Sequence, residues 1–543
     1  MAYRSRFQVA AMIPLAAAAG ARALDSEASS WCLDTLALVE AAGRSAGEAF
    51  LARYPAFFGR GKPRVAAVAG PGNNGADSLV MLRFFILKGF AGREQCAAIL
   101  TKAPREGSAQ ALAAGALKAM GVAVYTGSEG LAFLDGTARG GGLIIDGIAG
   151  TGLDGPLREA ALDMVLFING LKQNSAPGSM VVSVDLPSGS GDRADASWPV
   201  IDAGATLAVE PLKTALYKPA LRKKAGTIVP VTGIFPQELI ARHAKAGLWT
   251  WDDARFLVEA PAPDAHKYGR GLAEIWAGSD GLAGAARIAG RGAAAAGAGL
   301  VRLMVDPSLY PILASSEGGV MVVPADGSVD PGRDTRFKSD VILAGPGWGQ
   351  AVGREALLER VLGAASLGTP VLLDADALTL AGGKRFQGPV LITPHPGELE
   401  AFSGIPKEEA LARPDEILPG LSRDTGAVIL YKSHVMWIAA PDGRLAVVDG
   451  MVSQLAAGGS GDLLAGLASG FAARKAAARS RSAGAEGGPP AFDWFPCALA
   501  AASLLVETAK TAGAGFADPL ALAPTAARLA AGAFDRDKKL PIV

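Results

Sequence analysis

The residues best equipped for chemistry in this chain lie in short glycine-rich stretches that carry carboxylates or amides. The densest is Gly458-Gly459-Ser460-Gly461-Asp462, which runs into the helical pattern Leu463-Leu464-Ala465-Gly466. Glycines that open a helix aim consecutive backbone N–H groups, and the positive end of the helix, at an anion such as a phosphate. Asp462, in the first turn, can accept a proton from a hydroxyl that attacks, or is attacked by, a phosphoryl group. Complementing the helix dipole would account for the aspartate, but not for the glycines and serine ahead of it. A second stretch, Gly70-Pro71-Gly72-Asn73-Asn74-Gly75-Ala76-Asp77, follows the apolar run Arg64–Ala69. Its neutral amide oxygens suit a hard monovalent cation or ribose hydroxyls rather than a transition metal. Two more aspartates close apolar runs. Asp146 follows Gly142–Ile145 and leads to Gly150-Thr151-Gly152-Leu153-Asp154-Gly155-Pro156; Asp185 follows Met180–Val184 and leads to Leu186-Pro187-Ser188-Gly189. One aspartate after a strand is ordinarily a turn or cap residue. Three such strand ends in one sheet can converge on a pocket.

The second half holds further pieces: Gly345-Pro346-Gly347-Trp348-Gly349, the acids Asp374 and Asp376, Thr393-Pro394-His395-Pro396-Gly397-Glu398, and Lys432 at the end of Ala427–Tyr431. It opens on His266-Lys267-Tyr268-Gly269-Arg270-Gly271, then Gly278-Ser279 and Gly284-Ala285-Ala286. No HExxH, Walker A or Ser-His-Asp signature is present.

Parallel strands separated by helices position such loops. In the first half the expected strands are Arg64–Ala69, Ala97–Leu100, Gly142–Ile145, Met180–Val184 and Gly226–Val231, with helices such as Ala76–Leu87 and Ser108–Met120 between them. A second series comprises Leu272–Ala277, Leu300–Val305, Val341–Ala344, Val371–Leu373, Val390–Ile392, Ala427–Tyr431 and Val435–Ala439. The 543 residues exceed the size at which one core stops growing, about 250–300 residues, so two domains are expected. The boundary is placed near residue 245, in the Ala-rich segment Ala241–Pro263. Lys+Arg 52 balances Asp+Glu 52, which removes the electrostatic basis for non-specific nucleic-acid or anionic-membrane binding. Cys32, Cys96 and Cys497 are too scattered for a disulfide framework or zinc site and fit a reducing, cytoplasmic compartment. Arg4 and Arg6 before the apolar stretch Val9–Gly20 loosely mimic a signal peptide, but a first Ala-rich helix is the favoured reading. Ala472–Pro490 reads as a mobile surface insertion.

The combination GPGNNGAD, DGIAGTGL and VDLPSG resembles the YjeF N-terminal domain, the epimerase of hydrated NADH and NADPH; Leu24-Asp25 and Leu36–Glu48 resemble that family's opening helices. HKYGRG, GSDGLAGAA, GPGWG, LLDADAL, TPHPGE and GGSGDLLAG resemble the YjeF C-terminal domain, the nucleotide-dependent dehydratase of the same hydrates. The resemblance implies an α/β chain with a Rossmann-like three-layer domain over residues 1–245 and a ribokinase-like domain over 246–543. By it, Asn74, Asp146 and Ser188 would ligate potassium. Asn73, Asn74, Gly75, Ala76, Asp77, Gly150 to Pro156 (with Thr151, Gly152, Leu153, Asp154 and Gly155) and Asp185 would line the hydrated-nucleotide site, Asp185 as a proton carrier. Ala285, Gly347, Gly349, His395 and Asp462 would contact the hydrate in the second half, with Asp462 as base. Lys432, Ser433, His434, Val435, Met436, Gly458, Gly459, Ser460 and Gly461 would contact ADP or ATP, accompanied by Mg2+. The chain departs from the family pattern at Ala41, Ala76 and Ser78, at Ser433-His434, and at Trp348. No membrane or nucleic-acid partner is expected, and a homo-oligomer is. A small-molecule kinase with a degenerate nucleotide-binding first half would share the GGSGD motif and is the alternative.

Overall fold

The computed structural model describes residues 12–257, 264–325, 329–332, 338–349, 353–482, 491–513, 515 and 517–532. By spatial proximity they fall into two units, Ile13–Gly247 with Leu411–Arg413, and the chain from Leu248 onward apart from those three residues.

The first unit is built on a seven-stranded sheet in the order Ala123–Thr126, Cys96–Leu100, Val65–Ala69, Leu143–Gly147, Met180–Val184, Ala205–Val209, Thr227–Val231. Every neighbouring pair is parallel. Val65–Ala69 is buried along its whole length, as a strand covered on both faces must be. Val65, Ala67 and Ala69 face one core while Ala66 and Val68 face the other. The strand order reverses between Val65–Ala69 and Leu143–Gly147. Crossovers leave on opposite faces there, which opens a crevice at the carboxyl ends of the two strands. A separate parallel pair joins Ile13–Ala16 to Leu212–Lys213, with Leu15 opposite Leu212.

The second unit carries nine strands in the order Met321–Pro324, Leu300–Val305, Leu272–Trp276, Val341–Ala344, Val371–Leu373, Val390–Ile392, Val428–Tyr431, Val435–Ala439, Leu445–Asp449. The first seven run parallel and the last two pairings are antiparallel. Helices Ala283–Ala295 and Ser460–Ser482 pack together over one face. Their approach is very close: a Cβ on Gly466 would lie 2.2 Å from the Ala289 carbonyl, and one on Gly470 2.3 Å from that of Ala293.

Two expectations are corrected, at the start of the chain and at Ala472–Pro490. The apolar stretch near the start contains strand Ile13–Ala16 before helix Ala18–Ser30, because Leu15 and Ala16 find a sheet partner 197 positions on (212 minus 15), which local pattern cannot register; residues 1–11 lie outside the described residues. The Ala-rich segment Ala241–Pro263 holds the end of helix Gln237–His243, strand Ala246–Leu248 and helix Trp251–Ala254, with Trp249 and Trp251 buried, and 258–263 lie outside the described residues. Ala472–Pro490 is not an insertion as far as it is described, for helix Ser460–Ser482 runs through it and buries Ala472, Ala473, Ala476 and Ala477.

Candidate functional sites

At the switch point of the first unit lies a cavity of about 670 Å³. Its floor is made by the turn into helix Asn73–Leu87, by the loop after Leu143–Gly147, and by Asp185 beyond Met180–Val184. Gly70 and Gly75 are needed because these loops touch: a Cβ on Gly70 would lie 1.7 Å from the Ile148 carbonyl, and one on Gly75 2.0 Å from that of Gly70. Asn73, Asn74, Gly75, Asp77, Gly150, Thr151, Gly152, Leu153, Pro156 and Asp185 all line the cavity. Ala76 does not; it is buried behind the turn, and the Ser78 hydroxyl donates to the Gly75 carbonyl at 2.8 Å. Asp154 and Gly155 lie off the lining.

Beside the floor, Asp146 is fully buried and accepts four hydrogen bonds, from the Ser183 and Ser188 hydroxyls (2.7 and 2.5 Å) and the Ser188 and Ile148 amides (2.9 and 3.2 Å). Burial raises its pKa, which those hydrogen bonds oppose. Among the described residues it has no lysine or arginine partner. Asn74 donates through Nδ2 to the Ala149 carbonyl at 3.1 Å, while its buried Oδ1 has no partner. The Ser188 hydroxyl also accepts from the Ala149 amide at 2.8 Å. An orphaned amide oxygen, a hydroxyl and an uncompensated buried carboxylate on adjoining loops form an all-oxygen donor set that fits a monovalent cation.

Two residues that carry charge into the cavity were given no site role from sequence. Lys213, on strand Leu212–Lys213, is buried, forms an ion pair with Asp185, and donates to the Val209 carbonyl at 2.9 Å. Asp25, on helix Ala18–Ser30, lines the cavity with them. Asp185 itself has φ +67°, a left-handed conformation that costs a non-glycine residue free energy. Asp77 is held well above the usual carboxylate range by burial and by the charge of Asp185, with Lys213 opposing. Asp25 is raised by burial, lowered by Lys213 and raised again by Asp185. Arg22 and Arg158 stand at the exposed rim, and Arg22 donates to the Thr151 carbonyl at 2.5 Å.

In the second unit the ends of three successive parallel strands meet. Lys432 pairs with Asp374 at 2.5 Å and with Glu398 at 3.5 Å, and the Thr393 hydroxyl donates to Asp374 at 2.7 Å. Burial alone would lower the Lys432 pKa, but Asp374 and Glu398 hold it above its usual value. A Cβ on Gly461 would lie 3.5 Å from the Lys432 ammonium, so the glycine turn sits against this cluster. Asp462, in the first turn of helix Ser460–Ser482, is pushed up to about 6 by burial and by Asp374, with Lys432 opposing and Glu398 adding to the rise. A carboxylate shifted in this way suits general-base work near neutral pH.

His395 caps helix Pro396–Ser403: its Nδ1 accepts from the Gly397 and Glu398 amides (3.1 and 3.2 Å) and Nε2 lies 3.4 Å from Glu398. Gly347 and Gly349 adopt φ +61° and +62°, and a Cβ on Gly347 would lie 2.9 Å from the Ala285 Cβ. Trp348 turns its bulk away into the core, where its indole donates to the Trp276 carbonyl at 2.7 Å. The Ser433 hydroxyl stays local, donating to the Val435 carbonyl. Val435 and Met436 are buried in their strand, and His434 is exposed beside them. Gly458 and Gly459 form the turn that leads into the helix at Ser460.

The family model described as YjeF-related protein N-terminus matches residues 35–215, and that described as NAD(P)H-hydrate dehydratase matches 273–488. The bifunctional NAD(P)H-hydrate repair enzyme of Gloeobacter violaceus is 31% identical over 450 residues, spanning 79% of this chain and 83% of that one. Its counterpart in Coxiella burnetii is 28% identical, over 84% of this chain and 92% of that one. Among solved structures, ADP/ATP-dependent NAD(P)H-hydrate dehydratase from Bacillus subtilis, co-crystallised with ATP/Mg2+, is 25% identical over 52% of this chain and 96% of that one, with a TM-score of 0.44. With both family models matched in series and a relative similar along most of both chains, this chain belongs to the family of bifunctional NAD(P)H-hydrate repair enzymes.

Proposed function

We propose that the first unit interconverts the R and S epimers of hydrated NADH or NADPH, and that the second dehydrates the S epimer with consumption of ADP or ATP. The observation that carries the dehydratase assignment is Asp462, a carboxylate raised to about 6 at a glycine-led helix start beside the Lys432–Asp374 pair. Asp462 takes the proton of the C6 hydroxyl as its oxygen attacks the terminal phosphorus of the nucleotide, and the shortened nucleotide leaves. The amides of Gly458 to Gly461 receive the phosphate charge. Phosphate then departs from C6 with its bonding pair, the N1 lone pair fills in, and loss of a C5 proton restores the dihydronicotinamide. Mg2+ would accompany the nucleotide phosphates, as this hard cation is ordinarily held by substrate phosphates and few protein oxygens.

In the first unit Asp185 takes the C6 hydroxyl proton, the C6–N1 bond opens to an aldehyde, and N1 takes up a proton from Asp77. Rotation about C5–C6 and reversal of the transfers closes the ring on the other face. Two carboxyl groups in unlike environments suit this division between base and acid. Asn74, Asp146 and Ser188 would hold potassium, which when bound supplies the positive charge that buried Asp146 lacks. The free, scattered cysteines support a reducing, cytoplasmic setting, and among the described residues no helix is long and apolar enough to cross a membrane. A homo-oligomer belongs to the same reading, and sedimentation would measure it. The deciding assay supplies hydrated NADH and ADP and follows return of the dihydronicotinamide absorbance. A protein that ignores the hydrate but phosphorylates a sugar or vitamin would transfer the second unit to the small-molecule kinases.

A further inference from the structure

We propose that Lys213 is a positioning residue of the first-unit site: it fixes the Asp185 carboxylate in the cavity and offsets the charge of the acids gathered there. The proposal rests on the epimerase reading and names a residue to which that reading gives no role. Three elements bring carboxylates to one cavity: helix Ala18–Ser30 brings Asp25, helix Asn73–Leu87 brings Asp77, and the turn after Met180–Val184 brings Asp185. Glu210 lines the same wall but is engaged by the Ile234 and Phe235 amides at 2.5 and 2.8 Å. Arg22 and Arg158 are cationic too, yet both are exposed at the rim. Lys213 is 4% exposed and carries the ion pair to Asp185.

Independent observations tie Lys213 to the ligand space. The buried Asp77 Oδ1 in the cavity wall has no partner, so the acid group keeps an unused polar atom. The charge of Lys213 also acts on Asp25 and Asp77, lowering the pKa of each. The Lys213 ammonium is anchored from behind by the Val209 carbonyl at 2.9 Å, which directs its pull on Asp185. Asp185 sits in a left-handed backbone conformation, which costs a non-glycine residue free energy, and its carboxylate accepts from the Lys213 ammonium. Removal of the ammonium would leave the acids facing one another, and like charges in a walled site drive protons onto the group.

The test compares Lys213→Met and Lys213→Arg with the full-length parent, using separated epimers of hydrated NADH. The methionine variant should lose about 10²-fold or more in epimerisation kcat with KM changed only a few-fold. The acid limb of its kcat/KM profile should move upward by about one to three pH units. The arginine variant, which keeps the charge, should recover most of the rate and return the limb to its parental position. Dispersed backbone NMR signals from the first unit in the same preparations report that it has folded, which dehydratase activity of the second unit would not; should the methionine variant fail that check, Lys213→Gln is read the same way. A parental kcat and pH profile in the neutral variants overturns the proposal. NMR titration of the Asp25 and Asp77 carboxyls supplies a readout independent of turnover: both should titrate at higher pH without Lys213, and unmoved titrations overturn the proposal even where turnover falls. A parent inactive as an epimerase would instead sink the reading of the first unit, while the titration still judges Lys213.

Discussion

A carboxylate that titrates near pH 6 serves as a base only while it is ionised, and Asp462 is in that position. Its raised value means that protons occupy it as the pH falls through about 6, so the dehydratase kcat should drop about tenfold per unit below that point. Asp462→Asn removes the acceptor while preserving shape. Single-turnover assays should find a loss of about 10²–10⁴, with adenine-nucleotide affinity, measured by calorimetry, little changed. Asp146→Ala addresses the other site. With the carboxylate gone, the potassium concentration for half-maximal epimerisation should rise at least tenfold, whereas dehydration of pure S epimer stays at the parental rate. Equal loss of both activities would point to misfolding. Both were legible: Asp146 closes an apolar run with a glycine turn behind it, and Asp462 ends a glycine turn that runs straight into a helical pattern. Lys213 was not, since the sequence Glu210-Pro211-Leu212-Lys213 has no glycine turn and its partner Asp185 is fixed only by the sheet. Trp348, a departure from the family pattern between two glycines, turns its bulk into the core.

Elements are specified by small residues as much as by apolar ones. The strands of both sheets could be read from β-branched and alanine runs bounded by glycine, as Met180–Val184, Leu300–Val305 and Val341–Ala344 illustrate. Edge and return strands escaped, among them Ala123–Thr126, Met321–Pro324 and Leu445–Asp449; their pairing comes from distant partners and their apolar runs are short. Helix Ser460–Ser482 was truncated in expectation because its Ala- and Gly-rich second half resembles low complexity. Those same residues let it lie against helix Ala283–Ala295. Asp462 and Ala285 both stand in the first turns of these two helices. Gly466→Ala should force them apart, costing about 1–3 kcal/mol of stability. Calorimetry should register a lowered Tm for the second unit, and a Tm equal to the parent's would mean the approach is looser than described.

At the scale of the molecule, each site draws its named side chains from one unit. Asp25, Asn74, Asp77, Asp146, Asp185, Ser188 and Lys213 belong to the first; Ala285, Asp374, Glu398, Lys432 and Asp462 belong to the second. We therefore expect a fragment starting near residue 246 to fold and to dehydrate the S epimer when given ADP, each half falling within the usual size of an independent domain. With mixed epimers it should stall at the slow spontaneous interconversion, and residues 1–245 added in trans should restore the rate. An insoluble fragment would argue that the boundary near 245 is misplaced.

The pairing of Leu15 with Leu212 sets an order of events during synthesis. Strand Ile13–Ala16 leaves the ribosome early but has no sheet to join until Leu212–Lys213 follows, roughly 200 residues and about 10–40 s later at ordinary elongation rates. Helix Ala18–Ser30, with Arg22 and Asp25, is tethered to that waiting strand. One wall of the first-unit cavity is therefore completed only when segments about 200 residues apart meet. The nascent chain must carry an unpaired apolar strand throughout that interval, which makes it a ready client for a ribosome-associated chaperone.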